Sequence, residues 1–190
     1  MNECDGGPDS TFANSAEAVD ALFEALRGAS NCLIITHDDP DPDAIASALA
    51  LAYLLERRQG LKAAVAHGGI IGRAENKAMV RLLSIELFPL YELDPEQFDA
   101  VALVDGQAGA GNVSLPSELT PTVIIDHHSD VRSDLEGVPF VDIRAACGAT
   151  STIMTSYLRA AGVTPDRRIA TALFYGIKAD TLGLARASGE

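Results

Sequence analysis

The chain has 190 residues, enough for one well-packed domain, and its 47% hydrophobic and 22% charged residues exclude a disordered or fibrous protein. A formal charge of −13 argues against wrapping long nucleic acid, because such binding is driven by Lys and Arg displacing phosphate counterions. No apolar run reaches the roughly 20 residues that a bilayer span needs.

The first residues, Met1 to Ser10, are acidic and lack an apolar stretch, so they do not read as a secretory signal, and a cytoplasmic location is expected. Residues 1–13 read as a mobile tail ahead of one domain over 14–190. Asn14 followed by Glu17 is a capping box for a helix from Ala16 to Gly28. Cys32 to Thr36 is a short apolar run, as expected of a strand buried on both faces. A polar loop from His37 to Pro42 leads into a helix from Asp43 to Arg58, with Ala44, Ala48, Leu51, Ala52 and Leu55 at helical spacing and Gly60 as its stop. The alternation continues with a strand at Leu61 to Ala66 and a helix at Ala74 to Leu83. Strands follow at Ala100 to Val104, Thr122 to Ile125 and Val138 to Val141, then helices at Ala149 to Ala161 and Asp166 to Lys178. The pattern predicts an α/β domain, a mainly parallel sheet with helices on both faces in Rossmann-like layering. Gly106 to Pro116 reads as a flexible surface loop. The cysteines, Cys4, Cys32 and Cys147, lack metal-knuckle spacing and are expected to be reduced and structural.

Three strand ends run into polar residues that can hold metals. They are Thr36-His37-Asp38-Asp39-Pro40-Asp41-Pro42-Asp43, Val104-Asp105, and Ile125-Asp126-His127-His128. In a parallel sheet these ends share one edge, where open α/β sheets hold ligands. Each aspartate alone reads as a turn residue or a helix cap. Together they form a set of oxygen and imidazole ligands suited to manganese, magnesium or iron rather than to thiolate metals.

The run Thr36 to Ser47, THDDPDPDAIAS, resembles the first motif of the DHH phosphoesterases, and Asp126-His127-His128 is the triplet that gives that family its name. Asp105 in Val-Asp-Gly, the stretch Gly148 to Thr152 and the stretch Tyr175 to Thr181 match in the same order, so the resemblance spans residues 31–182. It implies that His37, Asp41 and Asp105 hold one metal. Asp43, Asp105, His127 and Asp180 hold the second, with Asp105 bridging. Two dications, Mn²⁺ first and Mg²⁺ as the alternative, would share a carboxylate and a hydroxide about 3.5 to 4 Å apart and clamp a phosphoryl group. Asp105 and His128 are the catalytic residues in this reading. His128 contacts the phosphate or leaving oxygen, with a hydrogen-bonding role behind the metals as its other reading.

Gly148, Thr150 and Ser151 lie at a helix start that could receive a phosphate or simply be capped. Arg73 and Asn76 resemble a substrate-side Arg-x-x-Asn stretch, or are solvated helix residues. Arg144 and Lys178 could neutralise a phosphate but read first as surface residues, His67 reads as structural, and Asp38 and Asp39 as outer shell or solvent. The sequence departs from the family pattern at Pro42 and Ala46, where Gly is usual. The family's second, basic Gly-rich domain has no match in the chain, so a first domain cut from a longer protein is expected.

The resemblance implies hydrolysis of phosphoesters in short oligonucleotides or small nucleotides. Cyclic-dinucleotide cleavage, inorganic pyrophosphate hydrolysis and a non-catalytic metal- and nucleotide-binding regulatory module remain alternatives. The implied partner is a small phosphate-containing substrate, with no long duplex nucleic acid and no membrane. Homodimerisation is left open.

Overall fold

The computed structural model describes residues 11–129 and 135–185. The expected tail falls mostly outside this range, as does Cys4. Phe12, near the end of that stretch, stacks on Phe140 with ring centroids 5.2 Å apart. The elements in chain order are α1 (Ser15–Ala25), β1 (Asn31–Thr36), α2 (Pro42–Gln59), β2 (Lys62–His67), α3 (Ala74–Leu82), β3 (Phe88–Pro89), β4 (Ala100–Val104), β5 (Val123–Asp126), β6 (Phe140–Ile143), α4 (Thr150–Ala160) and α5 (Arg167–Asp180). The six strands form one sheet in the order β3-β2-β1-β4-β5-β6, and each of its five neighbouring pairs is parallel. No helix among the described residues is long and apolar enough to cross a membrane.

The helix boundaries follow from their caps. Asn14 Oδ1 accepts from the amides of Ala16 and Glu17, each at 3.0 Å, and Glu17 reaches back to the amide of Ala13. Gly60 ends α2 in the left-handed region, at φ 66°, which its missing side chain permits. The two-residue strand β3 and the 3-10 turns at Leu90–Glu92 and Pro95–Gln97 were not anticipated, because they are too short to carry a hydrophobic period.

Alternating side chains of β1 serve two cores. Cys32 and Ile34 face the large cluster built with α1, α2, α3, α4 and α5, whereas Leu33 and Ile35 face a smaller one with Val101, Leu103 and Ile124. That smaller core is covered by Leu90, Leu93, Phe98, Val113, Leu115 and Leu119, which lie in 3-10 turns and loops. The α/β parallel sheet is as expected, with this refinement: the second face is packed, among the described residues, by irregular segments. Right-handed crossovers explain it. The connections that lead outward through β4, β5 and β6 must pass over that face, and those segments carry no α-helix in the described residues.

Arg144, expected at the surface, is 1% exposed. Its Nε donates to Asp142 Oδ2 at 2.8 Å, its Nη1 donates to Ser15 Oγ at 2.9 Å, and its guanidinium lies 5.4 Å from the Tyr157 ring centroid. Tyr157 also donates to Asp142. A buried carboxylate requires a partner, and Asp142 on β6 takes Arg144 as its own. Cys32 and Cys147 are buried free thiols, and burial pushes the Cys32 thiol up to about 12, which makes it inert.

The close approach of α5 to α2 depends on Gly176. A Cβ there would sit 2.5 Å from Ser151 Oγ, 3.1 Å from Ala46 Cβ and 3.2 Å from Asp43 Cα. Ala46 is therefore accommodated because its opposite number on α5 has no side chain. Replacing Gly176 with Ala should destabilise the chain by about 1–3 kcal/mol through overpacking, despite the better helix propensity of Ala. Urea unfolding checks this, and an unchanged or raised midpoint would contradict it.

Candidate metal centre

The register places the candidate ligands. Thr36 pairs with Val104, Val104 with Ile125, and Asp126 with Ile143, so β1, β4 and β5 end level. The next residues, His37 and Asp105, and the residues from Asp126 to His128, open onto one rim. The chain leaves β1 for β2 on one side and returns to β4 on the other, so the order reverses between β1 and β4, where open α/β sheets place their sites.

Asp105 occupies the centre. It is 2% exposed and sits in the left-handed region at φ 59°, with its amide donating to Ile125 O at 2.9 Å. Such a backbone is strained for a residue with a side chain, although Asp tolerates it better than most, and it persists where the surroundings impose it. His37 Nε2 lies 3.7 Å from Asp105 Oδ2 and 3.9 Å from Asp41 Oδ1. His127 Nε2 lies 3.6 Å from Asp105 Oδ1 and 3.4 Å from Asp180 Oδ2. Two groups able to hold a cation result, His37–Asp41–Asp105 and Asp43–His127–Asp180, and a third combination joins Asp105 with His127 and His128. Ligand bonds of about 2.0–2.2 Å at ordinary coordination angles separate neighbouring ligand atoms by roughly 3–3.8 Å, close to the spacings found here.

The local sequence explains how each donor is held. Asp41 is the N-cap of α2, in extended backbone (φ −92°, ψ 178°), and its Oδ1 accepts from the amides of Asp43 at 2.9 Å and Ala44 at 3.0 Å. Pro42 suits this arrangement: it disfavours helical backbone at residue 41, as a cap requires, and it opens the helix at a position where its missing N–H is not needed. Asp43 is fully buried, and its two oxygens accept from the amides of Thr150 at 2.7 Å and Ser151 at 2.8 Å. The start of α4 thus receives an anion, the Asp43 carboxylate. Thr150 Oγ1 also donates to Asp105 Oδ1 at 2.7 Å. The two imidazoles are oriented through Nδ1, His37 by the Asp38 carbonyl at 2.7 Å and His127 by the Cys147 carbonyl at 3.2 Å, so Nε2 faces the carboxylates in both. His128 Nδ1 donates to Asp126 Oδ1 at 2.7 Å, and Gln107 Nε2 donates to Asp126 Oδ2 at 2.7 Å.

The charges record what this assembly lacks. Desolvation, with Asp43 and Asp41 as like-charged neighbours, pushes Asp105 well above the usual carboxylate range, and desolvation raises Asp43 too. Burial opposes ionisation of Asp41, but the neighbouring His37 imidazole and hydrogen bonds from the amides of Ala44 and Asp43 hold it below its ordinary value. Burial would lower His37, yet Asp41, the Asp38 carbonyl and the charge of Asp105 raise it from 6.5 to about 9. His128 rises to about 9 chiefly through its bond to Asp126. A buried carboxylate cluster that retains protons is a cluster short of positive charge, and the oxygen and imidazole donors fit a hard or borderline divalent cation.

The structure brings together His37, Asp41, Asp43, Asp105, His127 and Asp180, with His128 half-exposed beside them. Thr150 and Ser151 join the site from behind, as donors to its carboxylates. Asn76 is buried and donates to the Pro40 carbonyl at 3.1 Å, while Arg73 and Lys178 are exposed. Gly148 packs near Thr181, 3.0 Å from where its Cβ would lie to Thr181 Cγ2. His67 is buried with Nδ1 on the Gly68 carbonyl. Sequence reading missed Gln107, for which Gln-Ala-Gly after a strand-end Asp carries no distinctive signal.

Residues 31–177 match the model of the DHH family, N-terminal domain. An uncharacterized protein of Methanocaldococcus jannaschii is 45% identical over 150 residues, covering 78% of this chain and 30% of that protein. A probable manganese-dependent inorganic pyrophosphatase of Deinococcus radiodurans is 32% identical over 151 residues, covering 78% of this chain and 46% of that protein. The crystal structure of an exopolyphosphatase-related protein from Bacteroides fragilis superposes with a TM-score of 0.69 at 17% identity, over 91% of this chain and 52% of that one, a likeness of fold. The chain thus spans less than half the length of these two curated relatives.

In the metal-free chain, protons held by His37 and His128 between their ordinary 6.5 and about 9 stabilise the fold at low pH and are lost as pH rises. The raised value of Asp105 acts in the same direction. Thermal melts without metal should show Tm falling from pH 6.5 to 9. Asp105→Asn should raise Tm at pH 9 by a few degrees, about 1 kcal/mol being worth roughly 2–4 °C in a domain of this size. A pH-independent Tm with no gain in the variant would refute this electrostatic account.

Proposed function

This chain belongs to the DHH family, and from that premise we propose that it is the metal-holding domain of a divalent-cation-dependent phosphohydrolase acting on small phosphate-containing substrates. The observation that carries the reading is Asp105, whose Oδ2 lies 3.7 Å from His37 and whose Oδ1 lies 3.6 Å from His127, so that one carboxylate stands between two imidazoles that each belong to a group able to hold a cation. The first substrate class is a phosphoester in a short oligonucleotide or small nucleotide. The second is inorganic pyrophosphate, favoured by the named activity of the Deinococcus radiodurans relative.

His37, Asp41 and Asp105 would hold one cation, and Asp43, Asp105, His127 and Asp180 the other, with Mn²⁺ preferred and Mg²⁺ as the alternative. Cations so held supply Lewis-acid activation of water and neutralise the charge of the phosphoryl group. The chain's own residues set the geometry. Asp41 and Asp43 are immobilised at helix starts, where backbone amides fix the carboxylate oxygens before any ligand arrives. His128, whose Nδ1 donates to Asp126, is raised from 6.5 to about 9 chiefly by that bond, which in the metal-free chain favours a second proton, on Nε2. That proton suits donation to a leaving oxygen.

The test is Mn²⁺-dependent turnover of pApA, pAp, cyclic di-AMP and pyrophosphate by this chain and by Asp105→Ala. The expected result is release of product from one class, lost by at least about 10³-fold in the variant, since a two-metal site without its shared ligand forfeits the charge stabilisation that dominates such reactions. Orthophosphate from pyrophosphate alone would select the second reading. Mn²⁺ binding without turnover of any substrate would point to a sensing module, and turnover unchanged by Asp105→Ala would refute the proposal.

A further inference from the structure

Asp38 follows the first histidine of the site, yet its carboxylate turns away from the ligand groups. Oδ1 accepts from the amide of Ser114 at 3.1 Å and Oδ2 from the Ser114 hydroxyl at 2.6 Å. Its own amide donates to the Asn112 carbonyl at 2.7 Å. Asp38 therefore grips the loop after β4 by three hydrogen bonds, across 76 residues of sequence in the case of Ser114. Its carbonyl is the group that receives Nδ1–H of His37. A carbonyl only accepts, so this bond places the proton on Nδ1 and frees Nε2 for the pocket.

The loop after β2 shapes itself around the same residue. A Cβ on Gly68 would fall 1.8 Å from Asp38 Oδ1, so the carboxylate occupies the space that glycine leaves. Beside it, Asp39 stands in the left-handed region at φ 54° and accepts from the amide of Ile70 at 2.7 Å. The loops that follow β1, β2 and β4 are thus fastened to one another at Asp38 and Asp39, on the His37 side of the rim.

We propose that Asp38, clasped to Ser114, is a positioning residue that fixes the orientation of His37 and so sets the affinity of the His37–Asp41–Asp105 group for its cation. The inference rests on the two-centre reading above. Partners of metal-ligating histidines typically govern affinity by about 10- to 100-fold, and here the partner carbonyl is held by its own residue's side chain.

The test compares Asp38→Ala with Asp38→Asn, in which Oδ1 still accepts from the Ser114 amide and the new NH₂ can donate to its hydroxyl. Hydrogen exchange on the metal-free proteins should show faster exchange of the Ser114 and Asp38 amides in Asp38→Ala, with β1 and β4 amides unchanged and Asp38→Asn like the unsubstituted chain. Mn²⁺ titration should then show one of two sites weakened about 10- to 100-fold in Asp38→Ala, the other unaltered, and the loss reversed in Asp38→Asn. Unchanged Mn²⁺ affinity in Asp38→Ala after the clasp has opened would overturn the proposal alone. Weakening of both sites together with faster exchange in β1 and β4 would also overturn it, by revealing a general loss of structure. Failure of the unsubstituted chain to take up Mn²⁺ would overturn the two-centre reading and this inference with it.

Discussion

A carboxylate buried at the rim of a parallel sheet, between two imidazoles and two further carboxylates, is the constraint around which this domain is organised. Asp105 has no reason to be there on grounds of stability. It is desolvated, its backbone is in the left-handed region, and its charge is opposed by Asp43 and Asp41. The surrounding structure compensates in part through Thr150, which donates to one oxygen, and through His37 and His127, which approach one oxygen each. An arrangement that is unfavourable until a cation enters can be retained for what it binds, and the strain at Asp105 agrees with that use.

Helix starts do much of the remaining work. The first turn of a helix has unpaired amides and a positive dipole end, which favour a carboxylate. Asp41 uses the start of its own helix. Asp43 uses the start of α4, more than a hundred residues later in the chain, and so couples the first strand–loop–helix unit to the last two helices. Gly176 allows α5 to approach α2 closely, and α5 ends at Asp180, which faces His127. The packing of α2, α4 and α5 therefore sets the positions of Asp43 and Asp180 in the candidate metal centre.

The elements were legible where their signals are local. Apolar runs gave the strands, while Asn14 and Gly60 marked helix limits, each through hydrogen bonds or dihedrals within one turn. The ligand candidates were legible for a topological reason: strand-end residues of a parallel sheet must share an edge. The contacts that hold those ligands were not. Asp43 with Thr150, Gln107 with Asp126 and Asp38 with Ser114 join residues between 19 and 107 positions apart, and nothing in either partner's neighbourhood encodes the other. Arg144 shows the same limit, since its burial follows from Asp142, Tyr157 and Ser15 meeting in space. The second face of the sheet is covered, among the described residues, by irregular segments, and these have no period to read.

The most direct test of the central claim is electron paramagnetic resonance of the chain loaded with Mn²⁺, together with the stoichiometry of uptake. Asp105 shared between two ligand groups predicts two Mn²⁺ per chain with a spin-coupled spectrum, as for ions about 3.5–4 Å apart. It also predicts that Asp105→Asn abolishes the coupling. One ion per chain, or two ions with the signals of isolated Mn²⁺, would contradict the account.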